Sequence, residues 1–240
     1  MQIDDTKLNK YCENEAYKSI LSVNESDVIK EYFKYQTMNN IFTEKSNAYE
    51  LSNTMKSFSF WFSKRDSEPN YFPVQPGQVY YVDLGAYNLK YETGFIHSCL
   101  ILKQCSTMIL IVPGSTKKYG KKIFLIEDIN AGDGFKENTG ILIDQMRFVS
   151  ITRIRGKLLG TVHPDTLERV EKKIFQNSFP RHFQKFSKLE MDNKKYLEQI
   201  NEKNENINDL EINIKEKELE LLQIKRDLEE LKVHNCMQIE

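Results

Sequence analysis

Apolar residues follow three rhythms along this chain, and each predicts a different kind of structure. Between Pro76 and Phe175 they gather in short runs bounded by turn residues. Gly77-Gln78-Val79-Tyr80-Tyr81-Val82-Asp83-Leu84, entered through Pro76-Gly77 and left at Gly85, is crowded with β-branched and aromatic side chains and predicts a strand. Ser98 to Lys103 and Met108 to Val112 are too short for helices and rich in Ile, Leu and Val, and the polar connection Gln104 to Thr107 suits a hairpin. Ile123-Phe124-Leu125-Ile126 is a further apolar run, after which Ala131-Gly132-Asp133-Gly134-Phe135 turns the chain toward Gly140 to Asp144. These glycines are turn residues, because no GxxxxGK[ST] pattern accompanies them. Pro164 heads a helix through Phe175 whose buried face is Leu167, Val170, Ile174 and Phe175. The expectation is a coiled antiparallel sheet closing into a barrel of roughly a hundred residues.

The second rhythm is helical and occupies residues 1–75. Asn24-Glu25-Ser26-Asp27 offers capping side chains ahead of Val28, Ile29, Tyr32 and Phe33, whose spacing makes one apolar face. A second periodic stretch, Ser46 to Trp61, ends in Phe58-Ser59-Phe60-Trp61-Phe62. Those rings have two readings: faces for stacking nucleobases, or, more simply, packing of Phe58, Trp61 and Phe62 onto the sheet. Ser67 to Gln75, with Pro69 and Pro73, reads as a linker.

The third rhythm is a heptad. Ile200, Ile207, Ile214, Leu221 and Leu228 fall seven apart, and Leu210, Ile224 and Leu231 stand three positions later, which predicts a coiled coil. Lys203 and Lys217 interrupt the second seam. In a parallel pair Glu220 faces Lys225 and Asp227 faces Lys232 of the other chain; an intramolecular partner is the other arrangement.

Composition changes the picture modestly. The formal charge of -1 divides unevenly: Lys and Arg number 14 against 10 acidic residues over 76–175, but 9 against 11 before and 11 against 14 after. Only the β region is basic, the sign a polyphosphate ligand requires. No apolar run approaches the span of a bilayer, and Met1-Gln2-Ile3-Asp4-Asp5 lacks the features of a signal peptide, so a cytoplasmic protein without membrane attachment is expected. Cys12, Cys99, Cys105 and Cys236 have no CxxC spacing, and free thiols are expected rather than a zinc site or disulfides.

The order of motifs in the β region resembles the PemK/MazF toxin family. It is carried by Gly77-x-Val79-Tyr80-Tyr81-Val82-Asp83-Leu84, Glu92-x-Gly94, Leu100-Ile101-Leu102, Ile111-Val112-Pro113-Gly114-Ser115-Thr116-Lys117-Lys118, Asp144-Gln145-Met146-Arg147-Phe148-Val149-Ser150 and Arg153-Ile154. Two positions depart from the common family pattern: His97-Ser98 stands where that pattern has Arg-Pro, and Pro113-Gly114-Ser115-Thr116 where it has Pro-Leu-Thr-Ser. The resemblance implies an α+β chain built on a small SH3-like, MazF-like antiparallel barrel flanked by helices. It also implies an endoribonuclease of a type II toxin–antitoxin system that cuts single-stranded RNA without a metal or other cofactor, through a 2',3'-cyclic phosphate. By the same resemblance the partners are RNA, a cognate antitoxin and a second copy of the chain, paired through the barrel, the coiled coil or both. The loop Ala86 to Phe95 would border the RNA and the antitoxin.

On this resemblance His97, Ser115 and Thr116 are the candidate catalytic residues, and Lys117, Lys118, Gln145 and Arg147 the candidate substrate-binding residues. Such chemistry needs a base for the ribose 2'-hydroxyl, an acid for the leaving oxygen and donors for the phosphorane charge. Histidine can make either proton transfer near neutral pH. A hydroxyl from Ser115 or Thr116 can hydrogen-bond a phosphate oxygen beside the two lysines. Arg147 can hold a phosphate bidentately or pair with Asp144 or Asp128. The residues alone also allow a bland reading, a surface histidine and an ordinary polar loop. The expected domains are 1–75, helical extension and linker; 76–175, barrel; and 176–240, coiled-coil helix. Two other functions compete with the nuclease. One is a catalytically reduced barrel serving as a nucleic-acid- or protein-binding module, assembled through the coiled coil. The other is a nucleic-acid-binding regulator that does not cleave.

Overall fold

The computed structural model describes residues 2–66 and 72–237, with side chains as far as residue 228. Two units are distinguished, residues 1–174 and 175–240. Most of the expected linker, residues 67–71, and the side chains of Leu231, Lys232 and Cys236 lie outside the described residues.

The sheet has seven strands: β1 (Gln78–Asp83), β2 (Ile96–Cys105), β3 (Met108–Ser115), β4 (Ile126–Ile129), β5 (Thr139–Leu142), β6 (Arg147–Ser150) and β7 (Ile154–Thr161). They run antiparallel in the order β4-β5-β3-β2-β1-β7, with β6 added to β3. β3 organises the curvature. Its first half, Met108 to Ile111, pairs with β6, its end, Gly114 and Ser115, pairs with β5, and β2 holds its other side. A bulge between Ile101 and Lys103 bends β2 to follow. Both faces of the central strands are therefore buried. Leu100, Leu102 and Val112 join Val79, Ile129 and Ile141 in one apolar cluster, while Cys99, Ile101 and Ile111 join Tyr80, Val82 and Val149 in another. This is why β2 and β3 read as unbroken apolar runs rather than alternating ones. The hairpin between them turns on Ser106, with φ +53°. β4 begins only at Ile126, and Ile123 and Phe124 are exposed ahead of it.

The helix α4 (Pro164–Ser178) closes the first cluster with Val170 and Ile174, with Leu167 packed against it, as its periodicity predicts; Phe175, expected on the same face, is half-buried and not part of the cluster. A fully buried side chain such as Val170 contributes about 1.5–3 kcal/mol. The start of α4 is held from a distant turn: Asp133 accepts from the His163 N–H at 2.6 Å and from the Thr166 hydroxyl at 2.7 Å. That turn lies so close to β7 that a Cβ on Gly160 would stand 2.6 Å from the Gly134 carbonyl oxygen. Only glycine fits there.

Three helices precede the sheet: α1 (Asp5–Glu13), α2 (Ser26–Lys45) and α3 (Ala48–Lys64). Asn47 caps α3 by accepting from the Glu50 N–H at 2.9 Å. Two expectations fail here. The caps foreseen at Asn24 to Asp27 do not form: Glu25 is the cap residue of α2 and makes no side-chain capping bond, accepting instead from the Tyr11 hydroxyl, while Asp27 pairs with Lys10 of α1. Nor does α2 bury the face of Tyr32 and Phe33, which are exposed; its one buried residue is Glu31, which accepts from the Asp4 N–H and from Lys34.

The second unit is dominated by α5 (Pro180–Met237), one continuous helix of 58 residues. At its start Phe175 makes ring contacts with Phe179, Phe183 and Phe186 at 5.7–6.4 Å. Ile200, Ile207, Leu210, Ile214, Leu221, Ile224 and Leu228 are all exposed, so the heptad seam is uncovered along its described length.

Candidate active site

His97 enters the site from the start of β2, opposite Val82 of β1. The β2–β3 ladder sets Cys99 against Pro113, and in continuation would set His97 against Ser115. Instead β3 leaves β2 at Pro113, and Gly114 and Ser115 pair with Ile141 and Gly140 of β5. The His97 ring spans the resulting gap: its Nδ1 is 2.9 Å from the Gly114 carbonyl oxygen. A carbonyl only accepts, so Nδ1 carries the proton and donates. Nε2 has no hydrogen-bond partner among the described residues and is the atom left for proton transfer. Gly114 is dictated by packing, since a Cβ there would lie 2.5 Å from Thr139 Cγ2 and 3.2 Å from the Ser98 carbonyl oxygen.

The next residues form a short, tight turn. Ser115 is half-buried at the end of β3, and Thr116, Lys117 and Lys118 make one exposed 3-10 turn. The turn is fixed by its surroundings rather than by its own side chains. A Cβ on Gly140 would lie 2.9 Å from the Lys118 carbonyl carbon, so the bare backbone of β5 admits it. Beyond it the Asp128 carboxylate accepts from the Gly120 N–H at 3.1 and 3.0 Å, and the Tyr119 hydroxyl donates to Asn130 at 2.6 Å. Among the described residues no hydrogen bond engages the Ser115 or Thr116 hydroxyl. The structure thus brings His97 to the residue that precedes Ser115, with two lysines following.

Gln145 and Arg147 form a separate group. Gln145 Oε1 accepts from Arg147 Nη2 at 3.0 Å and from the Thr93 N–H at 3.2 Å, tying the β1–β2 loop to the start of β6. Arg147 also donates to the Gln145 carbonyl at 3.3 Å. Its partner is therefore Gln145, and neither Asp144 nor Asp128 takes that place. No hydrogen bond among the described residues joins this group to His97. The charge of Arg147 favours the thiolate of Cys99, but burial outweighs it and pushes the Cys99 thiol well up, leaving it protonated. Cys12, Cys99 and Cys105 are free. No group of three or more His, Cys, Asp or Glu able to hold a metal ion occurs among the described residues.

The β1–β2 loop is internally pinned. Asn88 donates to the Thr93 carbonyl at 2.6 Å, and Phe95, at φ +61°, donates its N–H to the Gly85 carbonyl. Tyr87, Leu89 and Tyr91 are left exposed along it.

A buried polar cluster at the base of this loop was not anticipated from the residues. Asp83, 1% exposed, accepts from the Ser57 hydroxyl of α3, from Arg155 Nη2 at 2.8 Å and from the Gly85 N–H at 3.0 Å. Arg155 in turn lies over the Phe60 ring at 3.6 Å, and Arg153 donates to the Asp83 carbonyl at 3.1 Å. Burial alone would push the Asp83 carboxyl up; the bonds from Ser57, Arg155 and the Gly85 N–H outweigh it and hold the group below its ordinary value. Two polar atoms in this interface, Thr54 Oγ1 and Arg155 Nε, are buried without a partner. The expectation that Phe58, Trp61 and Phe62 pack onto the sheet is therefore wrong. They are exposed, and α3 meets the barrel with Thr54, Ser57 and Phe60 instead. The signal was a carboxylate inside Tyr80-Tyr81-Val82-Asp83-Leu84, since a buried carboxylate requires a partner.

Residues 75–177 match the model of the PemK-like, MazF-like toxin family of type II toxin–antitoxin systems. The match agrees with the motif order, and helices not covered by it stand on both sides. Similar solved structures include MazF from Deinococcus radiodurans, 18% identical over 45% of this chain and 96% of that one, with a TM-score of 0.38. An endoribonuclease in complex with its cognate antitoxin from a Mycobacterial species is 19% identical over 43% and 93%, with a TM-score of 0.35. The Mycobacterium tuberculosis toxin MazF-mt6 is 14% identical over 43% and 96%, with a TM-score of 0.34. No curated protein matches the sequence.

Proposed function

We propose that the barrel is an endoribonuclease toxin that cleaves single-stranded RNA and is restrained by a cognate antitoxin. The observation that carries this is the His97 ring, anchored through Nδ1 on the Gly114 carbonyl beside the Ser115–Lys118 turn, within the segment matched by the toxin family. With Nδ1 committed as a donor, Nε2 of the neutral ring is an acceptor. It takes the proton of the ribose 2'-hydroxyl as that oxygen attacks the adjacent phosphorus. The bond between phosphorus and the 5'-oxygen breaks, that oxygen takes up a proton from water while Nε2 returns its own to solvent, and the products are a 2',3'-cyclic phosphate and a free 5'-hydroxyl. Ser115 and Thr116 hydroxyls donate to the non-bridging phosphate oxygens, and Lys117 and Lys118 stabilise the charge that develops on them. These steps use only side chains of this chain and water, and no metal. Gln145 is a positioning residue that holds the loop at Thr93, and Arg147, fixed by Gln145, faces the RNA with its remaining donors.

In this reading residues 1–75 are an extension, 76–175 the catalytic domain and 176–240 a helix for assembly, and the chain acts in the cytoplasm as a homodimer. No helix among the described residues is long and apolar enough to cross a membrane. The exposed Tyr87, Leu89 and Tyr91 give the antitoxin an apolar ridge on the β1–β2 loop. The departures at His97-Ser98 and Gly114 favour one alternative, a barrel that binds RNA or protein without cutting.

The test is cleavage of a long single-stranded RNA in EDTA with mapping of the product ends, comparing wild type with His97→Ala and Ser115→Ala. Loss of a proton-transfer group is expected to slow cleavage by about 10²–10⁴-fold, with cyclic phosphate ends in the wild-type products. RNA bound but left intact would move the assignment to the binding module, and cleavage unchanged in both variants would move it to another site.

A further inference from the structure

The barrel and α3 enclose a cleft of about 690 Å³ whose walls do not include His97 or the Ser115–Lys118 turn. One wall is aromatic: Phe58 and Trp61 of α3, with ring centroids 5.6 Å apart, face into it, and Tyr35 and Tyr87 add two more rings. Phe58 and Trp61 are 49% and 47% exposed although both are large and apolar. Lys64, Arg65 and Arg153 bring positive charge to the same space. The single carboxylate in the lining, Asp83, is paired with Arg155 at 2.8 Å, and Arg65 pairs with the exposed Asp66 at 3.2 Å. The Arg65 guanidinium lies over the Trp61 ring at 5.4 Å and Phe58 stacks with Phe62 at 6.3 Å, and half-exposed rings flanked by cations are the chemistry that stacks bases and neutralises phosphates. The volume lies within the roughly 300–1,000 Å³ of clefts that enclose small organic groups.

We propose that this cleft holds an unpaired nucleotide of single-stranded RNA, its base against Phe58 and Trp61 and its flanking phosphates on Arg65 and Arg153. The proposal rests on the RNA reading above and adds a second point of attachment, whose stacking rings and Arg65 stand outside the family-matched segment while Arg153 lies within it. A duplex keeps its base faces stacked and cannot fill the site, so single strands are preferred. A free mononucleotide brings one base without the flanking phosphates and binds weakly.

Trp61 is the only tryptophan of the chain, so its emission reports this cleft alone. The full-length protein is titrated with a 2'-O-methyl oligonucleotide of about twelve residues, which binds but cannot undergo 2'-hydroxyl chemistry. Saturable quenching is expected with the single strand and not with its duplex. Phe58→Leu is expected to weaken binding on the order of tenfold and Phe58→Tyr to preserve it. Arg65→Ala is expected to flatten the logarithmic salt dependence by about 0.7. Circular dichroism on each variant excludes unfolding, and Phe58→Tyr keeps the test valid if Phe58→Leu does not fold. Emission unchanged at RNA concentrations that saturate the protein in filter binding would overturn the proposal, whether or not RNA is cut. Equal quenching by duplex, by adenosine monophosphate or by polyglutamate would overturn it too, marking an unselective patch or a protein site. Quenching by single strands together with intact unmodified RNA would uphold the cleft and count against the nuclease.

Discussion

α4 and α3 both lean on the same barrel, and they do so by opposite means. α4 buries Val170 and Ile174 in the apolar cluster behind β2 and β3, an attachment that is non-directional and scales with area removed from water. α3 keeps Phe58, Trp61 and Phe62 outside and attaches through Ser57, Asp83 and Arg155, the last over the Phe60 ring, with Thr54 Oγ1 and Arg155 Nε buried and unpaired. Buried polar contacts of this kind depend on geometry and net little stability unless every group is satisfied. α4 is consequently part of the barrel core, whereas α3 is a docked element whose hold can be altered without rebuilding the core.

The largest effect expected from this contrast lies on the α4 side. Ile174→Ala removes a side chain that is 7% exposed in the core, and should destabilise the protein by about 3 kcal/mol in a denaturant melt, the usual range for such a truncation being roughly 2–5. A cost below about 1 kcal/mol would mean that α4 is docked as loosely as α3.

On the α3 side the corresponding deletion is Asp83→Ala, which leaves Arg155 and Ser57 without their acceptor. Because the Arg155 side chain is 29% exposed and water can partly replace the carboxylate, about 2 kcal/mol is expected rather than the roughly 3–5 of a fully buried pair. The loss should appear in hydrogen exchange at α3 amides while those of α4 keep their protection. Replacing the three residues together, Ser57→Ala with Asp83→Leu and Arg155→Met, should recover most of it, as apolar substitutes for buried ion pairs often do. No combination of polar residues could do the same for Ile174.

The same clamp should respond to acid. The Asp83 carboxyl is held below its ordinary value in the folded chain, so the unfolded chain binds the proton more tightly. Its contribution is complete above the ordinary carboxylate pKa of about 3.9 and is lost as pH falls below that through the folded value. Protection of α3 amides should therefore drop below about pH 4 in the wild type more steeply than in Asp83→Asn. Parallel acid curves for the two proteins would remove Asp83 from the account.

The contrast also explains what could be read from the residues. β1, β2, β3, the hairpin at Ser106 and α4 were legible because apolar runs report burial, and these elements are held by apolar burial; β4 lies later than the run at Ile123 to Ile126 suggested, and β7, mostly not buried, carried no such signal. Phe58, Trp61 and Phe62 were misjudged for the same reason: periodicity assigns rings to the core, and here the helix turns a serine inward to meet a buried carboxylate. At the site, Ser115 to Lys118 and Gln145 to Arg147 stood out only through the order of family motifs. The contact that anchors His97 has a backbone oxygen as its acceptor, and every residue carries one, so no sequence pattern marks it. Arg147 offered several carboxylates within reach along the chain, and the fold selected the amide of Gln145 instead.

The smallest expected effect is a null result with a definite meaning. Phe62 ends the aromatic stretch of α3, stacks near Phe58 with centroids 6.3 Å apart and is 62% exposed. If α3 is held by its polar clamp, Phe62→Ser removes little buried area and should shift stability by no more than about 0.5 kcal/mol, as surface substitutions do. If the rings were instead the attachment, through a packing against the sheet that forms in solution, the same substitution would cost several times more and would free α3 amides for exchange. A thermal melt with hydrogen exchange on this one variant distinguishes the two, because Phe62 is exposed and supplies none of the hydrogen bonds to Asp83, so its loss leaves the clamp's polar groups in place.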